Sequence, residues 1–165
     1  MQENKLTIEK KLLKEIDYND PFFDSLRDDY YNFNKWFINK QSDNYKAYVT
    51  YDKENKLSSF LLLKIEEKEQ YIDFDKPLNK LKRLKICTLK VNNINKSIGS
   101  SFIKIIDKVA VDNNIKEIYT TVYPKYTKLI KFLEKNNYKY YANKNTLDSK
   151  GNTLKEKVYI KQVKE

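Results

Sequence analysis

Three kinds of residue in this chain could do chemistry: a small-residue run that could hold a phosphate, carboxylates that could take a proton, and tyrosines that could give one. The run is Lys-Ser-Ile-Gly-Ser-Ser at 96–101, where Ile98, Phe102, Ile105, Ile106 and Val109 recur at helical spacing. A helix starting there presents main-chain N–H groups without intrahelical partners and a partial positive charge, which suits a diphosphate. Gly99 reads as the point where the ligand meets the backbone, with Ser100 and Ser101 small beside it and Lys96 and Lys104 adding charge. On that reading Gly99→Trp abolishes binding and leaves the fold intact. Glu66, Glu67, Asp73 and Asp75 lie in a charged stretch. They are the candidate proton acceptors; solvated loop charge is the competing reading for each. Tyr123 and Tyr126 follow an apolar run and are the candidate acids, against core packing or rim contact. Cys87, the one cysteine, reads as a small apolar strand residue.

Absences narrow the chemistry further. The chain has no histidine, which excludes Ser-His and Cys-His nucleophiles and nearly all protein-bound zinc. A single cysteine allows no internal disulfide and no Cys-x-x-Cys clip, so no metal site is expected. Gly99 and Gly151 are the only glycines, too few for a phosphate loop or a dinucleotide fingerprint. The 165 residues fit one domain spanning 1–165, and 40% apolar content with eight Phe and fourteen Tyr supports a core. No run approaches the length of a membrane span, and the polar start has no secretory segment, so a cytoplasmic protein is expected. Of 33 basic residues only Arg27 and Arg83 are arginines. Residues 1–82 hold 15 basic and 16 acidic side chains, and residues 83–165 hold 18 and 7, so the +10 charge sits in the second half. That asymmetry fits either an anionic ligand or a lysine-rich solvated face.

The elements needed to position these groups can be read in order. An opening strand is expected over 5–17. A helix start follows at Asn19-Asp20-Pro21, with a capping residue before a proline, and a second helix carries Phe33, Trp36 and Phe37. Alternation over 45–51 and an apolar run over 57–65 predict an antiparallel hairpin, followed by a loop over 66–82. Residues 83–91 form the next strand, with Leu84, Ile86 and Thr88 on one face and Lys85, Cys87, Leu89 and Val91 on the other. After a polar loop comes the helix opening near Ser97, ended by Asn113-Asn114. A strand over 115–122, a short helix with Leu129, Ile130 and Leu133, and two last strands near 138–141 and 157–161 complete a mixed α/β (α+β) domain.

This order of elements resembles the GNAT N-acetyltransferase family over nearly the whole chain, from about residue 5 to residue 160. Leu89-Lys-Val91 followed by Ser97-Ile-Gly-Ser100 is similar to the family's strand-four and acetyl-CoA motif, and residues 129–138 (Leu-Ile-Lys-Phe-Leu-Glu-Lys-Asn-Asn-Tyr) to its second signature. In this likeness Ser97 replaces the first motif glycine and Ile94 stands at the Gln/Arg position. Lys85 stands at the strand-four glutamate, Leu133 at a frequent tyrosine and Tyr126 at a frequent asparagine. The resemblance implies a mostly antiparallel sheet flanked by helices, its central strands splayed around Leu89 and Thr120. It implies acetyl-CoA as cosubstrate, held by Leu89, Lys90, Val91, Lys96, Ser97, Ile98, Gly99, Ser100 and Ser101, and direct attack by an amine in a ternary complex. Glu66 and Tyr126 are then the expected base and acid. The expected partner is an amine-bearing acceptor (small molecule, peptide or aminoacyl-tRNA), with no membrane and a homodimer left open. The alternative is a catalytically degenerate binding or regulatory module of the same fold, with RNA as a partner for the basic half.

Overall fold

The computed structural model describes residues 7–92 and 96–164. Ile94, and the residues of the opening strand before position 7, therefore lie outside the described residues. Seven strands form one sheet: β1 (Glu9–Leu12), β2 (Lys46–Tyr51), β3 (Leu57–Glu66), β4 (Arg83–Val91), β5 (Glu117–Val122), β6 (Lys139–Leu147) and β7 (Thr153–Gln162), in spatial order β1-β2-β3-β4-β5-β7-β6. Every neighbouring pair is antiparallel except β4 and β5. The helices are α1 (Asp24–Asp29), α2 (Phe33–Ser42), α3 (Lys96–Asp112) and α4 (Thr127–Lys135). The mixed, mostly antiparallel α/β class expected from the sequence is the one observed.

Local chemistry explains the boundaries. The opening strand is shorter than expected because Leu13 and Ile16 turn down into the core through a 3-10 turn, held by Gln41 Nε2 donating to both of their carbonyls at 3.1 Å. Asp20 accepts from the Phe22 N–H at 2.8 Å with Pro21 at the first helical position, as its sequence predicts. Asn114 and Asn137, at φ 56° and 73°, take the left-handed conformation that stops α3 and α4.

Side-chain alternation sorts the core onto the two faces. Leu61, Leu84, Ile86, Ile118 and Val122 meet Ile98, Phe102 and Ile106 of α3 and Ile130 and Leu133 of α4. Phe60, Leu62, Ala47 and Val49 point the other way and bury Phe23, Phe33 and Phe37, with Phe23 edge-on to Phe60 at 5.1 Å. On that second face Tyr119, Ala142 and Val158 are covered by Tyr71 and Phe74 from the connection between β3 and β4.

One face assignment needs correcting. The β3–β4 register shifts between Leu62 and Leu63, pairing them with Thr88 and Ile86, so Cys87 is the extra residue of a bulge. The bulge moves every later side chain to the other face. Leu89 and Val91 thus join Leu84 and Ile86 on the α3 side, opposite to the expectation from unbroken alternation.

Candidate functional site

The site is built around a gap in the sheet. Parallel pairing of β4 with β5 runs from Arg83↔Glu117 to Ile86↔Thr120 and then stops. Beyond it β4 continues to Val91 against β3, and β5 to Val122 against β7, so the facing edges of 87–91 and 121–122 form no ladder with each other. Both helices that follow these strands begin at the same end of the sheet. The first turn of α3 carries the exposed Ser97 and Ser100 and the half-buried Gly99 and Ser101, while Tyr126 stands at the N-cap of α4. A gap lined by open backbone groups beside a helix start fits an extended chain ending in a diphosphate.

Several predicted residues are placed differently from their reading. Gly99 faces α4: a Cβ built there lies 3.1 Å from Phe132 Cε2 and 3.2 Å from Cζ. Its small size lets the two helices close together, so Gly99→Trp would disturb that packing, contrary to the expectation that the fold stays intact. The Lys90 side chain turns to the opposite face, donating to the Phe22 carbonyl and to Ser25 Oγ at 2.9 Å. Its backbone alone faces the gap. Lys104 is exposed on α3.

Glu66 closes β3 instead of lying in the loop, and it is 4% exposed. Oε1 accepts from the Tyr119 and Tyr71 hydroxyls, and Lys64 Nζ lies 3.5 Å from Oε2. Burial alone would raise its pKa, but the Tyr119 hydrogen bond, the Lys85 and Lys64 charges and the Tyr71 hydroxyl hold it below the ordinary carboxylate value. Neighbouring Arg83, 1% exposed, pairs with Glu117 at 2.7 Å. Glu67 is exposed, and Asp75 binds the Asn143 N–H at 2.8 Å. Burial pushes the Cys87 thiol up, against the charges of Lys85 and Lys40, so it stays protonated at neutral pH.

The tyrosines divide. Tyr123 donates to the Asp29 carbonyl at 3.1 Å and stacks on Tyr30 at 4.6 Å, tying the end of α1 to the end of β5. Burial raises its pKa, reinforced by Glu156, Asp29 and Asp148. The Tyr126 hydroxyl is buried with no hydrogen-bond partner among the described residues. Leu133, which the sequence resemblance set at a frequent tyrosine, is packed in the core.

On the second face a cavity of about 530 Å³ opens between the turn joining α1 to α2 and the β6–β7 hairpin. Tyr30 and Tyr31, Asp73, and Lys144 with the following end of β6 line it. Of the four candidate carboxylates, only Asp73 reaches it. A carboxylate that sequence reading missed, Glu156 of β7, lies opposite Lys144 of β6. The hairpin turn carried the signal: with Leu147 paired to Thr153, counting back along both strands brings Lys144 to Glu156.

No protein-family model matches the chain, and no curated protein does either. Solved structures do. Naa20 of Chaetomium thermophilum in complex with a bisubstrate analogue aligns at a TM-score of 0.70 and 14% identity, covering 95% of this chain and 86% of that one. This is the GNAT acetyltransferase fold. An N-acetyltransferase of Staphylococcus aureus Mu50 aligns at 0.66 and 12%, covering 96% and 98% of the two chains. A GNAT-family acetyltransferase of Elizabethkingia anophelis with acetyl-CoA bound aligns at 0.60 and 11%, covering 97% and 99%. At such identities the likeness speaks for the GNAT fold alone. Among the described residues no helix is long and apolar enough to cross a membrane.

Proposed function

We propose that this chain, as one domain, is an N-acetyltransferase that moves an acetyl group from acetyl-CoA to a primary amine by direct attack in a ternary complex. The parting of β4 and β5 after Ile86 and Thr120 carries this reading, because it leaves backbone groups of 87–91 and 121–122 open to an extended pantetheine arm. Two neighbours of the same fold were solved with acetyl-CoA or a bisubstrate analogue, which supports it. The backbones of Leu89, Lys90 and Val91 line the arm, and the α3 start from Lys96 through Ser97, Ile98, Gly99, Ser100 and Ser101 holds the diphosphate. When bound, acetyl-CoA supplies an acyl group activated as a thioester. The cavity beneath Tyr30 and Tyr31 receives the acceptor, and the unpartnered Tyr126 hydroxyl protonates the leaving sulfur.

Calorimetric titration with acetyl-CoA, followed by free-thiol release with a panel of primary amines, tests this. Saturable binding with amine-dependent thiol release is expected. Binding without thiol release would instead support the degenerate binding module, and no heat at millimolar acetyl-CoA would refute the cosubstrate.

A further inference from the structure

Among the described residues two buried carboxylates flank this sheet, and one of them keeps an oxygen without a partner. Glu66 accepts from two tyrosine hydroxyls and faces a lysine. Glu156, 3% exposed, has its Oε2 buried with no hydrogen-bond partner among the described residues. A buried carboxylate oxygen without a partner is costly to keep, so a group at such a place calls for a ligand that completes it.

Its position names that ligand. Lys157 pairs with Val122, the last residue of β5, which puts Glu156 one step further, beside Tyr123 and the open end of the sheet. Across the hairpin it faces Lys144, which lines the cavity. Glu156 acts on Lys144 from β6, on Tyr30 at the end of α1 and on Tyr123 after β5; Asp29 and Asp148 act on those tyrosines, Lys125 pairs with Asp29 at 2.5 Å, and Lys85, Asp73 and Glu66 act on Lys144. Lys144 is the cation directly across the hairpin, and burial, with the charge of Lys85, holds its pKa below the ordinary value. Tyr123 gives its hydroxyl to the Asp29 carbonyl and leaves Glu156 unserved. Asp73 and the rings of Tyr30 and Tyr31 line the same cavity, a setting for a cation on an aliphatic stem.

We infer that Glu156, which stands across the hairpin from the cavity-lining Lys144, receives the primary ammonium group of an acceptor seated in this cavity and takes its proton. This rests on the transferase reading above. The bond that breaks is an ammonium N–H; the proton passes to Oε2, and the electron pair stays on nitrogen, leaving a neutral amine able to attack.

The probe is n-butylammonium chloride, added to protein labelled with carbon-13 at the glutamate carboxyls. The resonance missing in Glu156→Gln belongs to Glu156, and Glu156→Asp provides the same assignment should the first variant fail to fold. In the wild type that resonance is expected to move with n-butylammonium and to stay put with sodium chloride of equal ionic strength. At neutral pH, Glu156→Gln is expected to lower kcat/KM for n-butylamine about a hundredfold, the gap narrowing as pH rises toward the amine's own pKa. Acetyl-CoA affinity is expected to stay unchanged. An unmoved resonance, or a variant as fast as wild type, overturns the inference. Wild-type protein that binds no acetyl-CoA defeats the transferase reading instead, and the resonance shift still decides whether Glu156 receives a cation.

Discussion

Thr120 donates its side-chain hydroxyl to the backbone carbonyl of Ile86 at 3.0 Å, at the last paired position before β4 and β5 separate. The bond closes the ladder at the vertex of the gap, where the strands would otherwise fray or zip further. Thr120→Val keeps the shape and removes the donor, leaving a buried carbonyl short of a partner. A loss of about 1–2 kcal/mol in urea unfolding is expected, with Thr120→Ser close to wild type.

Glu66→Gln is expected to destabilise the fold by about 2–3 kcal/mol at neutral pH, because a saturated buried carboxylate loses its charge-assisted bonds. Its folded pKa lies below the ordinary 4.5, so this stability is present above that value and is lost as pH falls through the lower folded pKa. Urea midpoints of wild type and variant should therefore converge in acid. A difference that persists undiminished at low pH would contradict the charged hydrogen-bond account.

The Gly99–Phe132 contact makes opposite predictions for small and large residues. Gly99→Ala gains helix propensity of about 1 kcal/mol and spends it on displacing the Phe132 ring, so its melting temperature should stay near wild type. Gly99→Trp overpacks the interface and should lose about 2–3 kcal/mol, partly recovered in combination with Phe132→Ala.

Tyr126→Phe separates chemistry from stability. Its hydroxyl makes no hydrogen bond among the described residues, so removing it should leave stability unchanged or slightly raised. Thiol release in the acetyl-transfer assay should nonetheless fall about tenfold or more. Full activity in a stably folded variant would remove Tyr126 as the acid.

These features differ in how far the sequence discloses them. Asp20-Pro21, the asparagines after α3 and α4, and the hairpin of β2 and β3 are local signals acting within a turn of chain, and each fixes its element. Cys87 carries no such mark: a bulge depends on what β3 offers across the ladder, so unbroken alternation put Leu89 and Val91 on the wrong face. Glu66 looked like the first residue of a charged loop because Tyr119, Tyr71 and Lys64 meet it only after folding. Glu156 could have been found by counting from the hairpin turn, but its lack of a partner is a property of the packed interior.

In the proposed function the open edges of β4 and β5, together with the start of α3, hold acetyl-CoA. Backbone amide resonances followed by two-dimensional NMR during an acetyl-CoA titration test it most directly. Saturable shifts are expected to concentrate at 87–91, 98–101 and 121–122, with β1 and β2 still. Shifts confined to other surfaces, or none at millimolar ligand, would contradict it.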